Sequence, residues 1–75
     1  MPKACKTIAT EKLTIERKVF FLDLQENHRG RFFKITEDVN GRRDTIILPI
    51  DGGHHFLEAF QRLVTAADEL PPLSE

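Results

Sequence analysis

Apolar and polar residues alternate along the first two thirds of the chain, and then the period changes. Leu13 and Ile15 alternate with Thr14 and Glu16, which predicts a strand over residues 10–16. Lys18 to Gln25 repeats the pattern, with Phe20, Leu22 and Leu24 on one side and Val19, Phe21, Asp23 and Gln25 on the other. Asn27-His28-Arg29-Gly30 then reads as a tight reversal, since Gly30 accepts a positive φ and Asn27 tolerates turn geometry. A third strand over residues 31–38 sets Phe33 and Ile35 opposite Phe32, Lys34 and Thr36. Asn40-Gly41 is the strongest hairpin signal, because both residues accept the positive φ of a type I′ turn. The fourth strand, residues 43–50, sets Ile46, Leu48 and Ile50 against Thr45 and Ile47. Pro49, which has no N–H for the ladder, belongs near its end or on an edge.

From His54 to about Asp68 the period is helical, with Asp51 expected as N-cap after the sheet is broken at Gly52-Gly53. Pro71-Pro72 stops the helix. The predicted order is ββββα. This is an α+β fold, a four-stranded antiparallel meander backed by one C-terminal helix. Residues 1–9 are expected to be a flexible N-terminal arm, 10–70 the folded unit and 71–75 a C-terminal tail. The apolar helix positions spread over about 180°, where packing on one sheet asks for little more than about 100°. A second protomer is the economical cover for the surplus, with Phe56, Leu57, Phe60, Leu63 and Val64 as its interface.

Size points the same way. With 75 residues and one cysteine, Cys5, the chain forms no internal disulfide and no multi-thiolate zinc site. A core this small rarely supplies more than roughly 3–5 kcal/mol unaided, which leaves association as the remaining stabiliser. Hydrophobic residues at 40% and charged residues at 31% exclude wholesale disorder, and no apolar run is long enough to span a membrane. The lone cysteine and the absence of an apolar leader suggest a reducing, cytoplasmic setting, or a nucleoid-associated one.

Net charge is −1, but it is unevenly spread. Residues 1–50 hold ten of the eleven Lys/Arg and seven of the twelve Asp/Glu, a balance of +3, and residues 51–75 balance to −4. The strands therefore carry the cations, a weak sign of an anion-binding face. His54 and His55 are adjacent and diverge by about 100° on a helix, so no metal site follows from them. Asp51, His54 and Glu58 have no accompanying nucleophile or phosphate loop, so no catalytic residue, enzyme activity or cofactor is expected.

One helix covers one face of a four-stranded sheet. Strand parity leaves the other face with Phe21 and Phe32 among Lys34, Asp23 and Gln25, with Asn27 and Arg29 at the turn. Aromatic planes beside cations are how proteins hold unpaired bases, rings stacking on them while Lys and Arg follow the phosphates. Burial of the same rings in a dimer interface is the other reading of this pattern.

The run from Ile15 to Ile35, above all Phe20-Phe21-Leu22-Asp23-Leu24, Asn27, Arg29-Gly30-Arg31-Phe32 and Lys34-Ile35, resembles the PUR repeat of the Pur-alpha family of purine-rich-element binding proteins. Thr45 to Pro49 and then Phe56 resemble the repeat's fourth strand and helix, so the likeness covers about residues 10–67. The resemblance implies a ββββα repeat, two of which intertwine into a Whirly-like domain that binds single-stranded DNA or RNA, preferring G-rich sequences. For one repeat it implies a homodimer, as in single-repeat bacterial-type members. The polar binding motif of the family falls on Gln25, Asn27 and Arg29, with Gln25 in place of a lysine, and its stacking aromatic falls on Phe32. Arg31 and Lys34 match further basic positions. The expected function is therefore single-stranded nucleic-acid binding without catalysis. A dimerisation or protein-interaction module on the same fold is the alternative, favoured by the net charge and by Gln25.

Overall fold

Strand and helix follow one another in the order the periodicity predicts. The computed structural model describes residues 5–73. It contains β1 (Lys6–Ile15), β2 (Lys18–Asn27), β3 (Gly30–Val39), β4 (Arg42–Pro49), a 3-10 turn (Ile50–Gly52) and α1 (Gly53–Glu69). The strands form one antiparallel sheet in sequence order. At the β3–β4 reversal Asn40 and Gly41 take φ of 56° and 86°, as a type I′ turn requires. A Cβ at Gly41 would meet nothing within 4 Å, so only its backbone is constrained. Gly41→Val is therefore expected to cost about 1–2 kcal/mol of stability, read as a lower urea midpoint, without altering binding.

The flexible arm expected over residues 1–9 is corrected for its second half. Lys6, Thr7 and Ala9 pair with Glu26, Gln25 and Leu24 of β2. A bulge between Thr7 and Ala9 interrupts the two-residue period there, which hides the strand from pattern reading. Residues 1–4 and 74–75 lie outside the described residues.

The cross-strand register sorts side chains onto two faces, because directly opposed residues share a side of the sheet. Leu13, Phe20, Leu22, Leu24, Phe33, Ile35, Ile46 and Leu48 fall on one. Thr10, Lys12, Phe21, Asp23, Gln25, Phe32, Lys34, Thr36, Thr45 and Ile47 fall on the other. The parity read from the sequence is therefore the parity of the fold.

The helix does not back its own sheet, and here the structure corrects the expectation. Beyond its first turn α1 does not pack on the strands; its main neighbour is the 3-10 segment from which it continues. The contact point is Gly53, so near the Phe33 ring that a Cβ would stand 2.8 Å from Cε2. The long dimension of 57 Å is close to that of a ten-residue strand and a 17-residue helix end to end, about 33 and 25 Å. The radius of gyration, 15.7 Å, compares with about 11 Å for a compact chain of this length.

No hydrophobic residue is buried among those described, and α1 has no buried residue at all. Two apolar surfaces result, the sheet face around Leu22, Phe33 and Leu48 and the helix face around Leu57, Phe60 and Leu63. Between the sheet face and the first helical turn lies an apolar hollow of about 550 Å³.

Asp51 is a second correction. It lies inside the 3-10 turn, and the N-cap of α1 is Gly52, with no side-chain capping bond. The close approach of Gly53 to Phe33 sets where the helix begins. At the other end Leu70 is extended, φ −79° and ψ 148°, as the residue before a proline must be.

Candidate nucleic-acid interface

The helix-free face of the sheet ends in a groove of about 510 Å³ beside the β2–β3 turn. Its floor is Phe32, half-buried on β3 between its cross-strand neighbours Gln25 on β2 and Pro49 on β4. Pro49 can stand here because β4 is an edge strand and this is its last residue. Ile47, 57% exposed, extends the apolar wall. The ring is thus supported from both sides along the sheet and open above it.

Asn27 closes β2, and its Oδ1 accepts the backbone N–H of Arg29 at 2.9 Å. That bond orients the side chain and occupies its oxygen, so its NH2 group remains as a donor. It also shapes the turn from which Arg29 projects into the groove rim. Gly30, at φ 134°, supplies the backbone conformation that returns the chain into β3.

The other residues expected at the site are distributed more widely. Arg31 lines the groove end, yet register places it on the opposite face with Glu26, whose Oε2 lies 3.7 Å from its Nε. Gln25 neighbours Phe32 but is not part of the groove; its Nε2 donates to Thr7 Oγ1 at 3.0 Å. Lys34 lies one row further along the face, between Asp23 and Ile47. Asn27, Arg29, Arg31 and Phe32 are therefore gathered at the groove, and Gln25 and Lys34 border it.

A second aromatic position lies about 13 Å away, four residues along the strands at roughly 3.3 Å each. The Phe21 ring centroid is 5.8 Å from Lys12 Nζ and 5.6 Å from Arg43 Cζ. Arg43 Nε donates to Asp38 Oδ2 at 2.8 Å, and Asp38 Oδ1 accepts the Gly41 N–H at 3.1 Å. Asp23 is likewise engaged, accepting from Thr10 Oγ1 at 2.7 Å. The two acids of this face are tied up in the sheet, while Lys12 and Lys34 form no ion pair among the described residues. Sequence reading missed Lys12 because its meeting with Phe21 depends on the β1–β2 register, nine residues apart. Arg43, at the start of β4, likewise meets Phe21 only through the pairing of β4 with β3 and β3 with β2.

Comparison with known proteins places the chain in a family. The family described as PurA ssDNA and RNA-binding protein matches residues 5–75. "Transcription factor Pur-alpha 1" of Arabidopsis thaliana is 39% identical over 61 residues, 81% of this chain and 21% of the relative. "Transcriptional activator plp-1" of Caenorhabditis elegans is 31% identical over 67 residues, 89% of this chain and 30% of the relative. "Transcriptional activator protein Pur-alpha" of Homo sapiens is 33% identical over 66 residues, 79% of this chain and 20% of the relative. The chain thus spans between a fifth and a third of the length of these curated relatives.

Proposed function

The chain belongs to the PurA family of single-stranded DNA- and RNA-binding proteins, and from that premise we propose that it binds purine-rich, especially G-rich, single strands as a homodimer, without catalysing a reaction. The observation that carries this reading is the Phe32 groove, an open aromatic floor with Asn27 and Arg29 at its rim, on the face the helix does not approach. A base stacked on such a ring contributes roughly 1–3 kcal/mol whatever its identity. Arg29 and Lys34 supply the charge that follows the phosphates, and Gln25 supplies a hydrogen-bonding group where the family pattern has a cation.

Dimerisation follows from the two uncovered apolar surfaces. The helix face of one copy, Phe56, Leu57, Phe60, Leu63 and Val64, has the length and polarity to cover the sheet face of another, the hollow near Leu22 and Phe33 included. Each such side chain moved out of water contributes roughly 1.5–3 kcal/mol. Among the described residues no helix is long and apolar enough to cross a membrane.

Binding of a labelled G-rich single strand, followed by fluorescence anisotropy across a salt series, tests the proposal. With about four phosphates neutralised per dimer, log K is expected to fall against log salt with a slope near −3, at roughly −0.7 per phosphate. A flat response, or no binding at micromolar protein, would favour the interaction module instead.

A further inference from the structure

We propose that Asp51 reads the Watson–Crick edge of a guanine stacked on Phe32, an inference that rests on the nucleic-acid reading above and names the residue that would give it base selectivity. Asp51 is exposed and lines the Phe32 groove, whose rim is otherwise basic through Arg29 and Arg31. An acid there repels the phosphates that the same rim attracts, so it weakens simple polyanion binding.

The place of Asp51 in the first turn of the 3-10 segment, just ahead of α1, puts a negative charge where the helix dipole favours one, but no specific contact holds the side chain. The side chain does not cap α1 or the 3-10 turn. Among the described residues it makes no ion pair and no hydrogen bond. Its carboxylate is free at the edge of a groove large enough for an unstacked nucleotide.

The chemistry of a free carboxylate selects one base. Ionised, it only accepts hydrogen bonds, at two oxygens side by side. Guanine alone presents two neighbouring donors, N1–H and the 2-amino group, that match them. Adenine and cytosine place a ring-nitrogen acceptor beside their amino group, and thymine and uracil flank a single N–H with carbonyl oxygens. Any of these brings a lone pair against the carboxylate. Asn27 and Asp51 also stand on either side of Phe32, since β2 and the chain leaving β4 flank β3. A base on the ring is bracketed by an amide donor and a carboxylate acceptor, which suits the O6 acceptor and the donor pair of guanine.

The test measures anisotropy of three labelled eight-nucleotide single strands at one salt concentration: guanine-rich, the same strand with inosine for guanine, and adenine-rich. Inosine lacks the 2-amino group and keeps the rest of the edge. Wild type is expected to prefer guanine over inosine by about tenfold, the lower part of the range for a good bidentate contact. Asp51→Asn is expected to lose about tenfold on the guanine strand, to stop distinguishing inosine, and to hold the adenine strand as well as or better than wild type. Asp51→Glu, which keeps the carboxylate, should retain the preference.

Loss of a repelling charge alone predicts the opposite sign. Asp51→Asn would then tighten all three strands alike, and that result overturns the proposal, as does guanine preference surviving in the variant. Failure of the wild type to bind any strand overturns the nucleic-acid reading, and this inference with it.

Discussion

Phe32→Ala is expected to weaken binding of a G-rich single strand by about 1–3 kcal/mol, roughly a five- to 150-fold rise in Kd. The effect arises because, among the described residues, Phe32 supplies the one aromatic ring lining the groove, and the exposed cations around it do not offer a comparable stacking platform. Since Phe32 also packs between Gln25 and Pro49, truncation removes sheet contacts as well as the platform. Phe32→Leu separates the two contributions. Leucine retains most of the apolar bulk but offers no π-face, so it is expected to bind as poorly as the alanine variant and to melt near the wild type. Wild-type affinity in both variants would remove Phe32 from the site.

Phe60→Asp is expected to abolish the folded state. In the isolated chain Phe60 is 58% exposed, and surface substitutions usually stay within about 0.5 kcal/mol. In the proposed homodimer the same position would be covered by the sheet of the other copy, where an unpaired carboxylate carries several kcal/mol of desolvation, once per protomer. The chain has no buried hydrophobic residue to fall back on among those described, so on the dimer proposal a dissociated copy is expected to unfold and not to persist as a monomer. Light scattering and thermal melts at several protein concentrations check this. The wild type should be a dimer whose Tm rises with concentration, and the variant should show no cooperative melt. A wild type with a concentration-independent Tm at monomer mass, matched by an equally stable variant, would refute the dimer.

Much of the sheet was legible because its signals are local. Alternation assigned Phe20, Leu22 and Leu24 to one face and Phe21 and Gln25 to the other, and the register agrees throughout β2 and β3. Asn40-Gly41 announced its turn because positive φ is a property of those residue types. The start of β1 was missed where the bulge after Thr7 breaks the period. Asp51 was misassigned as a cap because its residue type suits that role, whereas the helix start is set by a contact twenty residues away in sequence, Gly53 against Phe33. At the site, Phe32, Asn27 and Arg29 could be found from parity and family likeness. The placing of Lys12 and Arg43 beside Phe21, and of Asp51 at the groove, could not, since each depends on register or chain direction.

The amino-acid pattern by itself determined four strands, one helix, the last two turns of the sheet and the residues on each of its sides. These depend on backbone preferences and spacing within a few residues. Where the helix goes was decided only in three dimensions. Its apolar arc fits its own sheet or a neighbour's equally well in one dimension, and only the path through Ile50–Gly52 carries it away, leaving both apolar surfaces open and the aromatic face unobstructed.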